Sequence, residues 1–264
     1  MDSDFTDKVV VITGASSGIG EVAALMFAKR NARVTLSGRD QGRLQAALEK
    51  CVEAGGGHAD RYLTVQGDVS DPLVRQAIIQ RTLDTFGQLD ILVPNAGIIL
   101  EEGGLTNPTE AAYDKTMDVN VKSIFFLIQE SIPHLEKTKG CIVNVSSIGA
   151  LVPFPDEIIY GMSKAALDYM TRTLALGLAP KGIRVNSINP TLTTSRIYRT
   201  YTSDPAGTAS FMTNYASLHP LHQRESTPEE QASVIVFLAS QSASFITGQC
   251  IAVDGGITLR GAST

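Results

Sequence analysis

A regular alternation of short β-branched runs with longer stretches of helical period most limits what this chain can fold into. The runs apolar enough to be buried on both faces of a sheet are Lys8–Thr13, Arg33–Ser37, Arg61–Gln66, Ile91–Pro94, Cys141–Ser146, Ile183–Asn189 and Cys250–Val253. The stretches of helical period are Ile19–Arg30, Gln41–Ala54, Pro72–Phe86, Glu110–Lys137, Tyr160–Leu178 and Thr227–Ser240. The alternation predicts an α/β fold, a doubly wound parallel seven-stranded sheet with helices on both faces in a Rossmann-like arrangement.

No Pro-, Ser- or Gly-rich linker, charge block or internal repeat divides the sequence, so we expect residues 1–264 to form one domain. The stretch Thr191–Arg224 is polar and irregular, and it follows a strand end on the side where open α/β sheets bind ligands. It predicts a mobile substrate lid at about 191–224, with a surface insertion of no function as the alternative.

Charge and hydropathy exclude several kinds of partner. The net charge is −5 without a basic stripe, so we expect no nucleic-acid partner. The amino terminus has no apolar leader, and no run reaches the roughly 18–20 apolar residues that cross a bilayer. We therefore expect no membrane association and a cytoplasmic location.

The cysteines and histidines do not indicate a metal site. Cys51, Cys141 and Cys250 are too few and too scattered for a disulfide framework, and none has the spacing of metal ligands. The four histidines are dispersed, and no carboxylate or cysteine completes a ligand set near His219 and His222. We expect a reducing compartment, no metal, and histidines that are polar surface or lid residues.

A glycine-rich loop joins the first strand to the first helix, as a dinucleotide-binding turn requires. It runs from Thr13 to Gly20 with the spacing GxxxGxG. By analogy with the Rossmann fingerprint, Gly14 permits a tight turn, Gly18 lets the backbone approach a pyrophosphate, and Gly20 lets helix and strand pack closely. A glycine-rich turn without a ligand is the alternative if the loop is taken alone.

Further motifs follow in a fixed order, namely Asp68-Val69, Asn95-Ala96-Gly97, Asn120, Ser146-Ser147, Tyr160-Gly161-Met162-Ser163-Lys164, Asn189-Pro190 and Asp254-Gly255-Gly256. With the glycine loop, this order resembles the short-chain dehydrogenase/reductase superfamily in its compact single-domain form, over about residues 5–260. The resemblance implies one domain that both binds a nicotinamide dinucleotide and carries the catalytic site. It implies that Asp68-Val69 holds the adenine, that the Asn-Ala-Gly segment stabilises the sheet beside the cofactor, and that the active site is Asn120, Ser147, Tyr160 and Lys164.

The full set of cofactor contacts implied by the loop and the resemblance is Gly14, Ser16, Ser17, Gly18, Ile19, Gly20, Ser37, Arg39, Asp68, Val69, Asn95, Ala96, Gly97, Tyr160, Lys164, Pro190, Leu192 and Ser195. Three positions depart from the family pattern. Pro94 stands where a second asparagine is usual, Thr191 replaces the glycine after Pro190, and Ser195 stands where a threonine often contacts the cofactor.

Tyr160 and Lys164 are four residues apart on a predicted helix, so their side chains share one face. Tyrosine, with a reference pKa of about 10, is a poor base near neutrality, but a neighbouring ammonium and an oxidised nicotinamide favour the phenolate. In reduction, Tyr160 gives its proton to the carbonyl oxygen that Ser147 holds. The resemblance adds that Lys164 binds the nicotinamide ribose and that Asn120 links Lys164 to solvent through a water.

The end of the second strand predicts the choice of dinucleotide. Gly38 takes the place of the acid that binds the ribose hydroxyls of NAD(H), and Arg39 can pair with the 2′-phosphate of NADP(H), with Ser37 as an extra donor. Asp40 suits a helix cap. If the strand ended one or two residues later, Asp40 would instead be the ribose ligand and NAD(H) the cofactor.

We therefore expect an NADP(H)-dependent oxidoreductase that interconverts a ketone or aldehyde and the corresponding alcohol, a carbonyl reductase. A 3-oxoacyl carrier-protein reductase-like enzyme and a hydroxysteroid dehydrogenase are alternatives, and a non-catalytic dinucleotide-binding sensor or scaffold is an alternative of another class. The resemblance also implies a homotetramer or homodimer, paired through the long fourth and fifth predicted helices across one two-fold axis and through the last strand across another. The apolar run Ile124–Ile128 and the late strand residues Ile251–Val253 are compatible with such pairing.

Overall fold

The structure is a computed structural model that describes residues 5–100, 107–194, 197 and 205–260. Its sheet contains the strands β1 (Val9–Thr13), β2 (Arg33–Gly38), β3 (Tyr62–Gln66), β4 (Ile91–Val93), β5 (Cys141–Val145), β6 (Arg184–Pro190) and β7 (Cys250–Val253). All neighbours pair in parallel, in the order β3-β2-β1-β4-β5-β6-β7. The predicted fold class is confirmed, and each predicted strand ends within one residue of an observed one.

The helices are α1 (Gly18–Ala28), α2 (Gln41–Ala54), α3 (Pro72–Phe86), α4 (Glu110–Met117), α5 (Ser123–Thr138), α6 (Ile158–Leu178), α7 (Pro205–Ser217) and α8 (Pro228–Ala239). The continuous helix predicted over Glu110–Lys137 is divided, because a π-helical turn at Asp118–Lys122 separates α4 from α5. Helix α7 lies in the stretch that the sequence analysis treated as irregular. No helix in the described ranges is both long enough and apolar enough to cross a bilayer.

The sheet separates two hydrophobic cores, which is why its strands are apolar without interruption. In β1, Val10 and Ile12 point into the core beneath α1, α2 and α8, whereas Val11 points into the core beneath α3, α5 and α6. Successive residues of a strand face opposite sides, so every position of this strand is buried.

The strand order reverses between β1 and β4, where the chain returns from the β3 edge to the centre of the sheet. At such a point the loops after adjacent strands diverge and leave a crevice at the carboxyl ends of the strands. The glycine loop follows β1 and Asn95 follows β4, so both come to this crevice.

Candidate active site and dinucleotide cleft

A cleft of about 490 Å³ opens at this crevice. The predicted site residues that line it are Gly14, Ser16, Ser17, Gly18, Ile19, Arg39, Asp68, Val69, Asn95, Ala96, Gly97, Ser147, Tyr160, Lys164 and Pro190. The lining among the described residues does not include Gly20, Ser37, Asn120 or Leu192. Ser195 lies outside the described residues.

The glycine loop has the backbone that a phosphate cradle needs. Gly14 and Gly18 adopt left-handed φ angles of 66° and 59°. A Cβ on Gly14 would lie 2.8 Å from the Asn95 side-chain nitrogen, and one on Gly20 would collide with the same amide. The N-cap residue of α1, Ser17, makes no side-chain cap hydrogen bond, and it lines the cleft with Gly18 and Ile19, so the first N–H groups of the helix are not taken up by the cap side chain. This end of the cleft fits the pyrophosphate of a dinucleotide.

Asn95 holds the glycine loop against the end of β4. Its Nδ2 donates to the carbonyls of Thr13 and Gly14 over 2.9 Å and 3.2 Å. Thr13 Oγ1 in turn accepts from the backbone N–H groups of Asn95 and Ala96 over 3.1 Å and 3.0 Å. Asn95 therefore acts mainly by fixing the loop that faces the ligand.

The cleft lining beside the end of β2 includes two arginines. Arg39 and Arg43 both line the cleft, and Arg43 was not among the predicted contacts. Asp40 does not line it, because its carboxylate caps α2, accepting from the backbone N–H of Arg43 over 2.9 Å. A Cβ on Gly38 would lie 3.1 Å from Ser16 Oγ, so the end of β2 presses against the glycine loop.

The expected donor role of Ser37 requires correction. Ser37 is fully buried, and its hydroxyl has no hydrogen-bond partner among the described residues. Alternate residues of a strand face the same side, so Ser37 lies on the same face as Thr35. That face points towards α3, because the Thr35 hydroxyl hydrogen-bonds to the Thr82 hydroxyl of α3 over 2.9 Å. Gly38 faces the cleft instead.

Asp68, which follows β3, also lines the cleft. Burial alone would raise its pKa, but hydrogen bonds from the Ser70 backbone and hydroxyl and the ammonium of Lys115 outweigh burial and lower the pKa. Lys115 Nζ lies 3.2 Å from Asp68 Oδ2 and also lines the cleft, a neighbour that the sequence analysis did not identify. Asp68 is therefore an ionised acceptor.

The predicted Ser, Tyr and Lys come together at the other end of the cleft. Ser147 follows β5, and its side chain hydrogen-bonds to Tyr160 at the start of α6. Lys164 Nζ lies 5.6 Å from the centre of the Tyr160 ring and donates to the carbonyl of Val145 over 2.9 Å. Tyr160 is 8% exposed and Lys164 is 2% exposed, so both groups work in a low dielectric.

Burial controls the protonation of both side chains. Burial raises the pKa of Tyr160 well above its usual value, against the lowering effect of the Ser147 hydrogen bond, and nearby Glu157 raises it further. Burial lowers the pKa of Lys164 to about 8, against the opposing charge of Asp168. The protein residues alone thus keep Tyr160 a neutral phenol, and the phenolate expected beside an oxidised nicotinamide stays a prediction for the cofactor-bound protein.

Asn120 lies in the π-helical turn and is fully buried. Its Oδ1 accepts from the Ile98 backbone N–H and its Nδ2 donates to the Ile98 carbonyl, each over 2.9 Å. Nδ2 also donates to Ser163 Oγ over 3.1 Å. A Cβ on Gly97 would lie 3.4 Å from Asn120 Oδ1 and 3.5 Å from Lys164 Nζ, so Gly97 lies between these two side chains.

A buried histidine at the start of the segment between α7 and α8 contacts the residue that follows β6. Thr191 Oγ1 and His219 Nε2 lie 2.6 Å apart, and Thr191 also hydrogen-bonds to Tyr215 of α7. His219 is 2% exposed and its ring packs edge-on against Tyr215. No cluster of His, Cys, Asp or Glu with the arrangement of a metal site occurs in the part of the chain that the structure describes.

Comparison with known proteins agrees with this geometry. A family described as enoyl-(acyl carrier protein) reductase matches residues 14–258. An uncharacterized oxidoreductase of Thermotoga maritima is 39% identical, over 97% of this chain and 99% of its own. A short-chain dehydrogenase/reductase of unknown function from Caenorhabditis elegans, solved with cofactor, is 36% identical with a TM-score of 0.92, covering 98% of each chain. The 3-ketoacyl-(acyl-carrier-protein) reductase of Brucella melitensis, solved with NADH, is 31% identical with a TM-score of 0.87, covering 97% of this chain and 100% of its own.

Proposed function

Because the chain belongs to the short-chain dehydrogenase/reductase superfamily, and so to oxidoreductases that act on CH–OH and C=O groups, we propose that it is an NADP(H)-dependent carbonyl reductase. Its substrate in this proposal is a ketone or aldehyde, and its product is the corresponding alcohol. The observation that carries the proposal is the cluster of Ser147, Tyr160 and Lys164, which shares one cleft with the glycine loop.

The proposed reaction divides between the cofactor and the chain. The bound reduced nicotinamide supplies a hydride to the carbonyl carbon. The Ser147 hydroxyl orients the carbonyl oxygen, and Tyr160 donates its phenolic proton to that oxygen. The hydride and the proton together convert C=O to CH–OH. The raised pKa of Tyr160 suits this role, because the phenol stays protonated near neutral pH until the oxygen gains charge.

In this proposal Lys164 stabilises the ionised form of Tyr160, and Asn120 takes part in its reprotonation. The Lys164 ammonium lies beside the Tyr160 ring, where it stabilises the phenolate left after proton transfer. Asn120 fixes the Ile98 backbone and Ser163, both next to this pair, and it is the residue we assign to the path by which Tyr160 recovers a proton from solvent.

The preference for NADP(H) is supported by the charges at the end of β2. Arg39 lines the cleft and can meet a 2′-phosphate, and Gly38 offers no carboxylate. Asp40 is engaged as a helix cap and with one nitrogen of the Arg43 guanidinium, whose side chain also lines the cleft. The NADH bound by the Brucella melitensis relative keeps NAD(H) as the alternative. The same relative's name makes a 3-oxoacyl carrier-protein reductase the second candidate activity, beside a hydroxysteroid dehydrogenase.

A panel of ketones and aldehydes, including short 3-oxoacyl thioesters and oxosteroids, tests the proposal. Each is mixed with the protein and NADPH or NADH, and the loss of reduced-nicotinamide absorbance is followed. We expect turnover of at least one carbonyl compound with NADPH. Tight NADPH binding without turnover of any compound would instead favour the non-catalytic sensor or scaffold.

We propose a homotetramer or homodimer as the working form. On the described monomer, Phe125 and Phe126 of α5 are 44% and 38% exposed, and Leu176 of α6 is 82% exposed. Apolar surface of this extent along adjacent helices favours burial against a second copy. The stretch 191–224 is proposed as the substrate lid and the cytoplasm as the location.

A further inference from the structure

Helix α6 carries a buried acid that the proposed mechanism does not use. Asp168 follows Lys164 by one helical turn, so the two side chains lie on the same face. Each is only 2% exposed. Among the described residues, neither forms a direct ion pair with any group. A carboxylate in this position is costly unless hydrogen bonds and a nearby positive charge compensate for the lost water.

Two neighbours in β6 supply the hydrogen bonds. Asn189 Nδ2 donates to Asp168 Oδ2 over 2.7 Å, and Ser187 Oγ donates to Asp168 Oδ1 over 3.3 Å. Both donors are fully buried. The carboxylate therefore fixes the orientation of the Asn189 amide.

That amide reaches the catalytic serine. Asn189 Nδ2 also donates to the backbone carbonyl of Ser147 over 2.9 Å. One side chain thus connects the buried acid on α6 to the main chain at the end of β5, where the Ser147 hydroxyl meets Tyr160. A shift of Asn189 would move the group that holds the substrate oxygen.

The same carboxylate acts on Lys164 through its charge. Burial lowers the pKa of Lys164, and the negative charge of Asp168 opposes this effect and keeps the pKa as high as about 8. In a low-dielectric interior a charge one helical turn away has a large effect. Without it, Lys164 would lose its proton at lower pH.

We propose that Asp168 and Asn189 form a positioning pair, in which Asn189 holds the Ser147 backbone and Asp168 orients Asn189 while placing its carboxylate one helical turn from the buried Lys164. The pair touches neither substrate nor cofactor in this assignment, and acts through Ser147 and Lys164. The inference rests on the proposed roles of those two residues.

Other ionisable groups near the pair are few in the described ranges. Tyr160 faces Lys164 from the same helix, and Glu157 acts on Tyr160. From β7, the Cys250 thiol lies 3.7 Å from the Asp168 backbone carbonyl, and it receives a hydrogen bond from Arg172 over 3.4 Å. These groups are unchanged in the variants below, so a change in the titration of Lys164 reports on Asp168.

Asp168→Asn is the main test variant. Asparagine keeps the shape of the side chain and can still accept from Asn189, but it has no charge. The matched control is Thr171→Val on the next turn of α6. Thr171 and Asn144 of β5 are both fully buried and bonded over 2.9 Å, so this variant breaks an equivalent helix-to-strand hydrogen bond.

The first measurement needs neither cofactor nor turnover. The Lys164 side-chain ammonium is titrated by NMR in the cofactor-free protein, with Lys164→Arg to assign its signal. We expect Asp168→Asn to lower the pKa of Lys164 by about one pH unit or more, and Thr171→Val to leave it unchanged. An unchanged Lys164 pKa in folded Asp168→Asn protein overturns the electrostatic role.

The second measurement is the pH profile of kcat/KM for carbonyl reduction. Reduction needs protonated Tyr160 beside charged Lys164, so the alkaline limb should move to lower pH in Asp168→Asn by about the same amount as Lys164 itself. In Thr171→Val the limb should stay in place. A fall in activity that is equal in the two variants, with the same pH profile, would mean that Asp168 is merely structural.

Asn189→Ala tests whether Asn189 positions the Ser147 backbone. It removes the bond to the Ser147 carbonyl while Lys164 and the acid remain. We expect kcat to fall at least about tenfold relative to Thr171→Val, with a smaller effect on the NADPH dissociation constant. Equal kcat in the two variants overturns this positioning role.

Failure of the proposed function is separately visible. If Tyr160→Phe keeps full activity, or no carbonyl compound is reduced, the assigned chemistry fails. The Lys164 titration of Asp168→Asn still decides whether the acid acts on the lysine.

Discussion

Asp40 Oδ1 accepts the backbone N–H of Arg43 over 2.9 Å, and Asp40 Oδ2 pairs with the Arg43 guanidinium over 2.7 Å. Asp40, two residues beyond the end of β2, thereby caps α2. Its side chain does not line the cleft. This relationship keeps the Asp40 carboxylate off the cleft lining and leaves Arg39, together with the Arg43 nitrogens that do not meet Asp40, to decide the choice of dinucleotide in our proposal.

The first prediction is that the protein prefers NADPH to NADH by more than about tenfold in kcat/KM, equivalent to ~1.4 kcal/mol. Arg39→Ala and Arg43→Ala should each reduce the ratio, since each removes a partner of the 2′-phosphate. Gly38→Asp should reduce or reverse it by adding a carboxylate. All values of kcat/KM are measured with the same carbonyl substrate. Equal kcat/KM for NADPH and NADH in the unaltered protein would refute the assignment of NADP(H) as the cofactor.

The second prediction concerns the proton donor. Tyr160→Phe removes the transferable proton and keeps the ring, so kcat should fall at least about a hundredfold while NADPH affinity stays nearly unchanged. Lys164→Ala should weaken both. Tyr169→Phe is the matched control, because Tyr169 lies on the same helix and is 70% exposed. Activity of Tyr160→Phe within about tenfold of the unaltered protein would show that the assigned acid is wrong.

The third prediction is that light scattering at micromolar concentration gives a tetramer or dimer. Phe125→Glu puts a charge on the apolar surface of α5 and should shift the distribution towards smaller species. Leu73→Glu is the control, since Leu73 is 72% exposed but lies on α3. A stable monomer of the unaltered protein would end the proposal.

The strands and the clustering of Tyr160 with Lys164 could be predicted because their signals are local. A strand buried on both faces is a continuous apolar run, and Tyr160 and Lys164 share a helical face by spacing alone. The break at Asp118–Lys122 could not be predicted, because one extra residue in a helical turn hardly changes the hydrophobic period. Helix α7 was missed since its stretch contains Pro205 and Gly207, typical of irregular chain.

Residues whose role depends on tertiary neighbours were missed or misplaced. Ser37 was assigned to the cleft, but the strand period turns it towards α3. Arg43 and Asp168 stand in ordinary helical positions. Arg43 gains significance only because α2 begins beside the cleft, and Asp168 only because β6 brings Asn189 to it. Sequence spacing gives no sign of such contacts between distant segments.

The last prediction tests the contact between Thr191 and His219. The hydroxyl and the ring nitrogen are 2.6 Å apart and buried, so replacing Thr191 by valine takes the partner away from His219 Nε2 and also removes the hydrogen bond to Tyr215. Thr191→Val should therefore lower the free energy of unfolding by about 1–3 kcal/mol. It should also raise KM for the carbonyl substrate more than it lowers kcat, because the contact ties the end of the proposed lid to the strand end beside the cleft.

Thr191 lines the cleft, so its variant alone would not separate a cofactor contact from the tie to the lid. His219→Phe breaks the same bond from the other side and leaves the Thr191 side chain in place. In a double-mutant cycle, unfolding by denaturant should give a coupling energy of about 0.5–3 kcal/mol between the two changes. Additive effects on stability, together with an unchanged KM in His219→Phe, would show that the contact does not hold the lid.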